Sequence, residues 1–379
     1  MLRWIMPMIV GAMLISGLAI AQNKKEPRPR RIYYYPAPGF VRPLIVHGNN
    51  PRVRVQLEPR LDYTAALSEA SLATLPPEIR LHTPTNTIYQ LWVPRSYRHA
   101  LPHPIIVFVS GKAVPDELVA FDALCHKYGV LFAVAYHGGN DVHPAMRMRL
   151  TLDMLDDLRR RMAIDTDRIY LAGFSEGART ACELAFTYPE YIGGVLAIGG
   201  ASSLRSEPWM RERVKERLSV ALVTGELDHA RREMEMIRFP VFRDLGLKTQ
   251  LWTVPRMGHA VPPNGILEQA FLWLEANRLG RKVLALKMPT TRIAPGLVPT
   301  SDMWASGLVE EAKMLMKDPK TRDLGVLQLE GVARRWRGSE LAREATALLE
   351  KHDADARVPW QKLYNRKQQE HFYLEAKAL

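Results

Sequence analysis

Cysteine is nearly absent, with two in 379 residues. A disulfide-stapled scaffold is thereby excluded, and an extended apolar core has to carry stability. Acidic residues are also in deficit, 40 against 52 Lys and Arg, for a formal net charge of +12. No His or Cys pattern has the spacing of a known metal-ligand set, so neither a metal nor a cofactor is expected. His137 and His143 beside Asp141 read as loop polarity. What remains, 47% hydrophobic and 24% charged residues, is globular rather than disordered, collagen-like or polytopic.

The basic excess is concentrated near the start. Between Gln22 and Arg60 nine basic residues face two acidic ones, a local net of +7. Glu26 to Arg31 and Tyr33 to Gly39 are punctuated by proline, which predicts an extended linker and accessory segment over residues 22–78. Such an arm is a soluble tether or a contact for an anionic surface, and no specific nucleic-acid recognition is expected. Ahead of it, Arg3, the charge-free stretch Trp4 to Ile20 and Ala19-Ile20-Ala21 read as a secretory signal cleaved after Ala21. Export to the periplasm or beyond is the expectation. The alternative, a retained anchor, is weakened by Pro7 and by a length at the bottom of the spanning range. Cys125 and Cys182 lie in apolar helix patterns and are expected to stay unpaired.

From residue 79 short β-rich runs alternate with helical patterns. Strands are expected at Ile79 to Leu81, Thr87 to Val93, Pro104 to Val109, Val130 to Tyr136, Arg168 to Gly173, Gly193 to Ile198, Leu218 to Thr224 and Lys248 to Val254. The first two read as a hairpin across Pro84-Thr85-Asn86. Helices are expected at Asp116 to Lys127, Ala145 to Met162, Glu176 to Thr187, Pro208 to Arg217, Arg231 to Leu245 with a kink or split at Pro240, and Asn264 to Arg278. The fold class is α/β, a doubly wound, mostly parallel sheet with helices on both faces over residues 79–280. Prolines 289, 295 and 299 then mark a linker over 281–300. A small helical module follows over 301–379, with Ser339 an N-cap. Its apolar stripe (Leu308, Ala312, Leu315, Leu327, Leu341, Ala345, Leu348) packs on the α/β domain or binds a protein partner.

The pentapeptide Gly173-Phe174-Ser175-Glu176-Gly177 directly follows an apolar strand and opens a helix. A serine on so tight a strand-to-helix turn needs neighbours without Cβ atoms, so that its hydroxyl stands clear of the sheet. Serine is a poor nucleophile until a base takes its proton, and the base needs an orienting carboxylate. Asp228 and His259 follow the next strands in the expected order, with Glu226 competing for the acid role. Tyr136 and His137 follow the preceding strand and should line the mouth of the site.

Residues 79–278, and Arg168 to Ala178 above all, resemble the α/β-hydrolase superfamily. The likeness is to its secreted esterase branch, which includes polyhydroxybutyrate depolymerase-like, feruloyl esterase-like and carboxylesterase/phospholipase enzymes. The resemblance implies hydrolysis of a small or polymeric carboxylic ester through an acyl-enzyme. It also implies an oxyanion hole made by the backbone N–H groups of Glu176 and Lys112, although Ser110-Gly111 stands where many relatives carry His-Gly. The stretch Ala333 to Ala342 resembles the junction of a tetratricopeptide-like helical hairpin. Two rivals stay open at this stage, a non-catalytic interaction protein on the same fold and a prolyl peptidase-like enzyme.

Overall fold

Apolar side chains that alternate along each strand require cover on both sides of the sheet. The computed structural model describes residues 39–45, 66–67, 74–189, 191–278 and 301–379. The signal at 1–21, most of the basic arm and the linker at 281–300 lie outside the described residues. Eight strands form one sheet: β1 (Gly39–Ile45), β2 (Ile88–Val93), β3 (His103–Val109), β4 (Leu131–Ala135), β5 (Ile164–Phe174), β6 (Gly194–Ile198), β7 (Ser219–Gly225) and β8 (Lys248–Val254). Their order is β1-β2-β4-β3-β5-β6-β7-β8. β1 and β2 are antiparallel additions, whereas β4 through β8 pair in parallel.

Ten helices accompany the sheet where it is described, apart from short 3₁₀ and π turns. They are α1 (Pro77–Leu81), α2 (Leu118–Tyr128), α3 (Pro144–Arg161), α4 (Glu176–Thr187), α5 (Pro208–Arg217) and α6 (Arg231–Glu233), then α7 (Phe239–Asp244), α8 (Asn264–Ala276), α9 (Ser301–Leu315) and α10 (Arg322–Arg335). Two more, α11 (Glu340–Asp355) and α12 (Trp360–Ala378), complete the C-terminal part. Ile105, Val107, Leu131, Ala133, Ile169 and Leu171 face one apolar layer with α3, α4 and α5. Their neighbours Ile106, Phe108, Phe132, Val134, Tyr170 and Ala172 face the other, with α2 and α8.

Two expectations are corrected and a third is given detail. Ile79 to Leu81 is not a strand but the end of α1, which Pro77 opens at its first turn, where a missing N–H does no harm. The sheet also begins earlier than expected, because β1 falls inside the segment read as linker and pairs with β2. At Pro240 the helix expected over Arg231 to Leu245 is divided, one of the two outcomes expected there. A π-helical turn over Met234–Arg238 joins α6 to α7, with the Phe239 N–H donating to the carbonyl of Met234, five residues back. That wider turn meets the proline without a clash in the preceding turn.

The C-terminal helices share the core of the α/β domain. Ala305, Leu308, Val309, Ala312, Leu327, Ala345 and Leu349 join the same apolar cluster as Trp209, Met210 and Val214 of α5. The Trp209 indole packs so closely on Gly331 of α10 that any Cβ there would collide with it. Buried polar groups fasten the contact: Arg217 pairs with Glu311, Gln328 donates to Glu311 at 2.8 Å, and Arg211 donates to the Lys367 carbonyl at 2.6 Å. Ser339 caps α11 as expected, accepting from the Ala342 N–H at 3.1 Å. The described residues from Gly39 to Leu379 accordingly fall in one compact unit. No described helix is long and apolar enough to cross a membrane.

His371 of α12 is 4% exposed. Burial, with the Arg211 cation beside it, pushes its pKa from 6.5 down to about 4, although Glu375 lies 4.0 Å away on its own helix. The folded state keeps this ring neutral while the unfolded chain protonates it below 6.5. Its contribution to stability is therefore complete above that pH and is lost as pH falls from 6.5 to about 4. The melting temperature should fall between pH 7 and pH 4.5, and by less in His371→Gln. An equal fall in both proteins would assign the acid sensitivity to other groups.

Candidate active site

Every loop that carries a sequence-predicted site residue leaves the carboxyl end of a parallel strand, where ligands bind in sheets of this kind. Ser175 follows β5 with φ 55° and ψ −120°, a conformation L-residues hold only when neighbours enforce it. Gly177 presses against the Val109 carbonyl at the end of β3, and Gly173 presses against the Gly177 peptide, so neither position has room for a Cβ. The Ser175 N–H is tied to the Ile198 carbonyl at 2.8 Å. Glu176 is the first residue of α4, so its N–H has no intrahelical acceptor.

Asp228 and His259 come together as expected. The His259 Nδ1–H donates to Asp228 Oδ1 across 2.8 Å, which orients the imidazole and leaves Nε2 as the acceptor. Asp228 Oδ1 also accepts from the Ala230 N–H at 2.8 Å, and the Asp228 side chain is wholly buried. The loops after β7 and β8 are locked together. The N–H groups of Glu226 and Leu227 donate to the carbonyls of Val254 and Met257 at 2.9 and 2.8 Å. Gly225 lies against the Met257 carbonyl without room for a side chain. Glu226 does not reach the histidine. Its carboxylate accepts from the backbone N–H of Arg256 at 2.8 Å, where Arg256 takes a φ of 57°. Of the two acids, Asp228 is the one bonded to His259, and Glu226 braces the loop.

Lys112 departs from expectation. Its N–H donates to the Ser110 hydroxyl at 3.0 Å, and Ser110 in turn donates to buried Glu117 at 2.6 Å. The amide is satisfied inside its own loop instead of standing open as an oxyanion donor, and its ammonium pairs with Asp116 at 2.6 Å. The loop after β4 lies against this one, with the His137 N–H on the Ala113 carbonyl at 2.8 Å and the Asn140 N–H on the Gly111 carbonyl at 3.0 Å. Tyr136 is half-buried and accepts from Gln90 at 2.6 Å, whereas His137 is exposed with a φ of 60°. His143 caps α3, accepting from the Ala145 N–H at 3.2 Å. Cys125 and Cys182 are free and buried, and burial pushes the Cys182 thiol up to about 12.

Sequence reasoning passed over the Gly199-Gly200 pair, Phe174 and Arg179. Gly199, with φ 61°, leaves room for the His259 ring, since a Cβ there would sit 3.0 Å from Cε1 and 3.2 Å from Asp228 Oδ2; one on Gly200 would sit 2.9 Å from the Ser175 carbonyl. A Gly-Gly pair ending an apolar strand was the available signal. Phe174 packs on His259 with ring centres 4.5 Å apart, and the exposed His229 ring lies 4.1 Å from His259 on centres. Arg179, one turn into α4, grips Glu233 through two bonds of 2.8 and 2.6 Å and pairs with Glu176 at 3.2 Å.

Comparison with known proteins finds partial likenesses. Residues 125–271 match the phospholipase/carboxylesterase family, a span that holds Ser175, Asp228 and His259. Among solved structures, a thermostable esterase is 16% identical over 52% of this chain and 59% of its own, with a TM-score of 0.39. Est1E from Butyrivibrio proteoclasticus is 14% identical over 51% of this chain and 94% of its own, with a TM-score of 0.41. An S-formylglutathione hydrolase from Staphylococcus aureus is 10% identical over 54% and 93%, with a TM-score of 0.40. The doubly wound, mostly parallel α/β fold thus holds, over residues 125–271, a span similar to the phospholipase/carboxylesterase family, with the strained turn at Ser175 inside it.

Proposed function

We propose that the protein is an exported serine hydrolase that cleaves carboxylic esters through an acyl-enzyme. Ser175 attacks the acyl carbonyl while His259 Nε2 takes its proton, and the same proton then passes to the departing alcohol. Asp228 holds the ring and balances the imidazolium, and water resolves the acyl-enzyme by the reverse steps. The Glu176 N–H faces the developing oxyanion. The observation that carries this reading is the strained Ser175 backbone, next in the chain to Phe174, whose ring packs on a histidine already bonded to a buried carboxylate at 2.8 Å. Export rests on residues 1–21, and contact with an anionic surface rests on the basic arm.

The engaged Lys112 amide favours a second reading, in which the domain is a non-catalytic scaffold whose C-terminal helices meet a protein partner. Turnover separates the two. For a catalyst, loss of one oxyanion donor costs ~2.7–4 kcal/mol of transition-state stabilisation, so the Lys112 N–H has to leave Ser110 when substrate binds.

Ser175→Ala and His259→Ala should each abolish hydrolysis of a p-nitrophenyl ester while leaving the far-UV circular dichroism unchanged. Activity that persists in Ser175→Ala would remove the serine from the mechanism. Asp228→Asn should lower kcat by about 10⁴-fold, because the amide selects the wrong imidazole tautomer. Glu226→Gln keeps its acceptor for the Arg256 N–H and should retain most activity. The reverse ranking would return the acid role to Glu226.

A further inference from the structure

Asp228, His229 and His259 form a cluster in which one ligand atom from each lies within 4.8 Å of the others. The Asp228 Oδ1 is 2.8 Å from His259 Nδ1 and 3.7 Å from His229 Nδ1. Tetrahedral zinc with bonds of ~2.0–2.1 Å holds its ligand atoms roughly 3.3 Å apart, a value between those two separations. The second carboxylate oxygen, Asp228 Oδ2, is buried with no hydrogen-bond partner, so this carboxylate has acceptor capacity to spare. His229 stands at the surface with its side chain 75% exposed, which supplies both a third ligand and a way in from solvent.

We propose that this cluster is an inhibitory zinc site, with His229 the residue that creates it. Zinc bound to His259 Nδ1 takes the place of the proton shared with Asp228. That proton moves to Nε2, so the neutral imidazole changes tautomer with no net proton released. The ring then presents an N–H to Ser175 and has no lone pair to accept the hydroxyl proton. Asp228 and His229 complete three protein ligands, and water fills the fourth position. Hard cations such as magnesium, which favour oxygen donors, should not compete at this site.

The inhibitory part rests on the proposed hydrolase activity; metal binding does not. Zinc chloride is therefore titrated calorimetrically into the full chain and into His229→Ala, and p-nitrophenyl ester hydrolysis is followed with added zinc or magnesium. The expected result is about one zinc bound per chain, with binding weakened at least ~10-fold in the variant. His229→Ala should keep the metal-free rate and need correspondingly more zinc for half-inhibition, and magnesium should inhibit neither protein. No zinc binding, or equal binding by both proteins, would overturn the site. His229-dependent binding that leaves the rate untouched would overturn the tautomer account. Binding without hydrolysis of any ester in zinc-free buffer would instead fail the hydrolase reading and leave the metal site standing.

Discussion

The approach of helix α4 to the ends of β3 and β5, closer than any side chain permits, is the constraint on which the candidate site depends. Gly177 lies on the Val109 carbonyl and Gly173 on the Gly177 peptide. With both backbones in contact, the chain can pass from strand to helix only by forcing Ser175 to a φ of 55°. Strain of this kind costs roughly 1–3 kcal/mol and persists only where packing over-determines it. Here the packing is the central sheet itself, in which β3 and β6 are buried over most of their length and β5 from Ile169 to Gly173. The same turn aims the free N–H groups of α4 toward the side on which Ser175 stands.

The C-terminal helices reach this constraint through charge as well as through the core. Arg179 holds Glu176 at 3.2 Å and Glu233 at 2.6 Å, and its paired bonds hold the Glu233 carboxyl below the usual carboxylate range. Arg238 bonds the same Glu233 at 2.9 Å and lies 3.9 Å from Glu375 of α12. The opening turn of α4, the π-helical turn and the last helix thus share one run of alternating charges. Together with the buried Trp209–Gly331 contact, this makes the C-terminal segment part of the scaffold beneath the site.

The sequence made the parallel core legible because its strands are continuous apolar runs set between amphipathic helices. Glu176–Thr187, Pro208–Arg217 and Lys248–Val254 agree residue for residue with the structure. Legibility failed where local signals were short or contradictory. Ile79 to Leu81 is too brief to separate a strand from a helical turn, and Pro77 at the helix start was the missed cue. β1 was hidden by Pro43, which breaks a strand pattern but is tolerated at an edge; the register of β1 shifts between Val41 and Leu44, on either side of that proline. The order Ser175, Asp228, His259 could be read from chain position alone. The fate of the Lys112 amide could not, since it turns on one Ser110 rotamer. Nor could the covering of α5, which depends on surfaces more than a hundred residues apart.

The central claim is that the strained turn presents an activated Ser175 to the His259–Asp228 pair, and covalent capture tests it most directly. The full chain is treated with a fluorophosphonate and digested, and the modified peptide is identified by mass spectrometry. The account predicts a single adduct on Ser175 that disappears in His259→Ala. An adduct on another serine, or none on protein whose melting curve is intact, would contradict it.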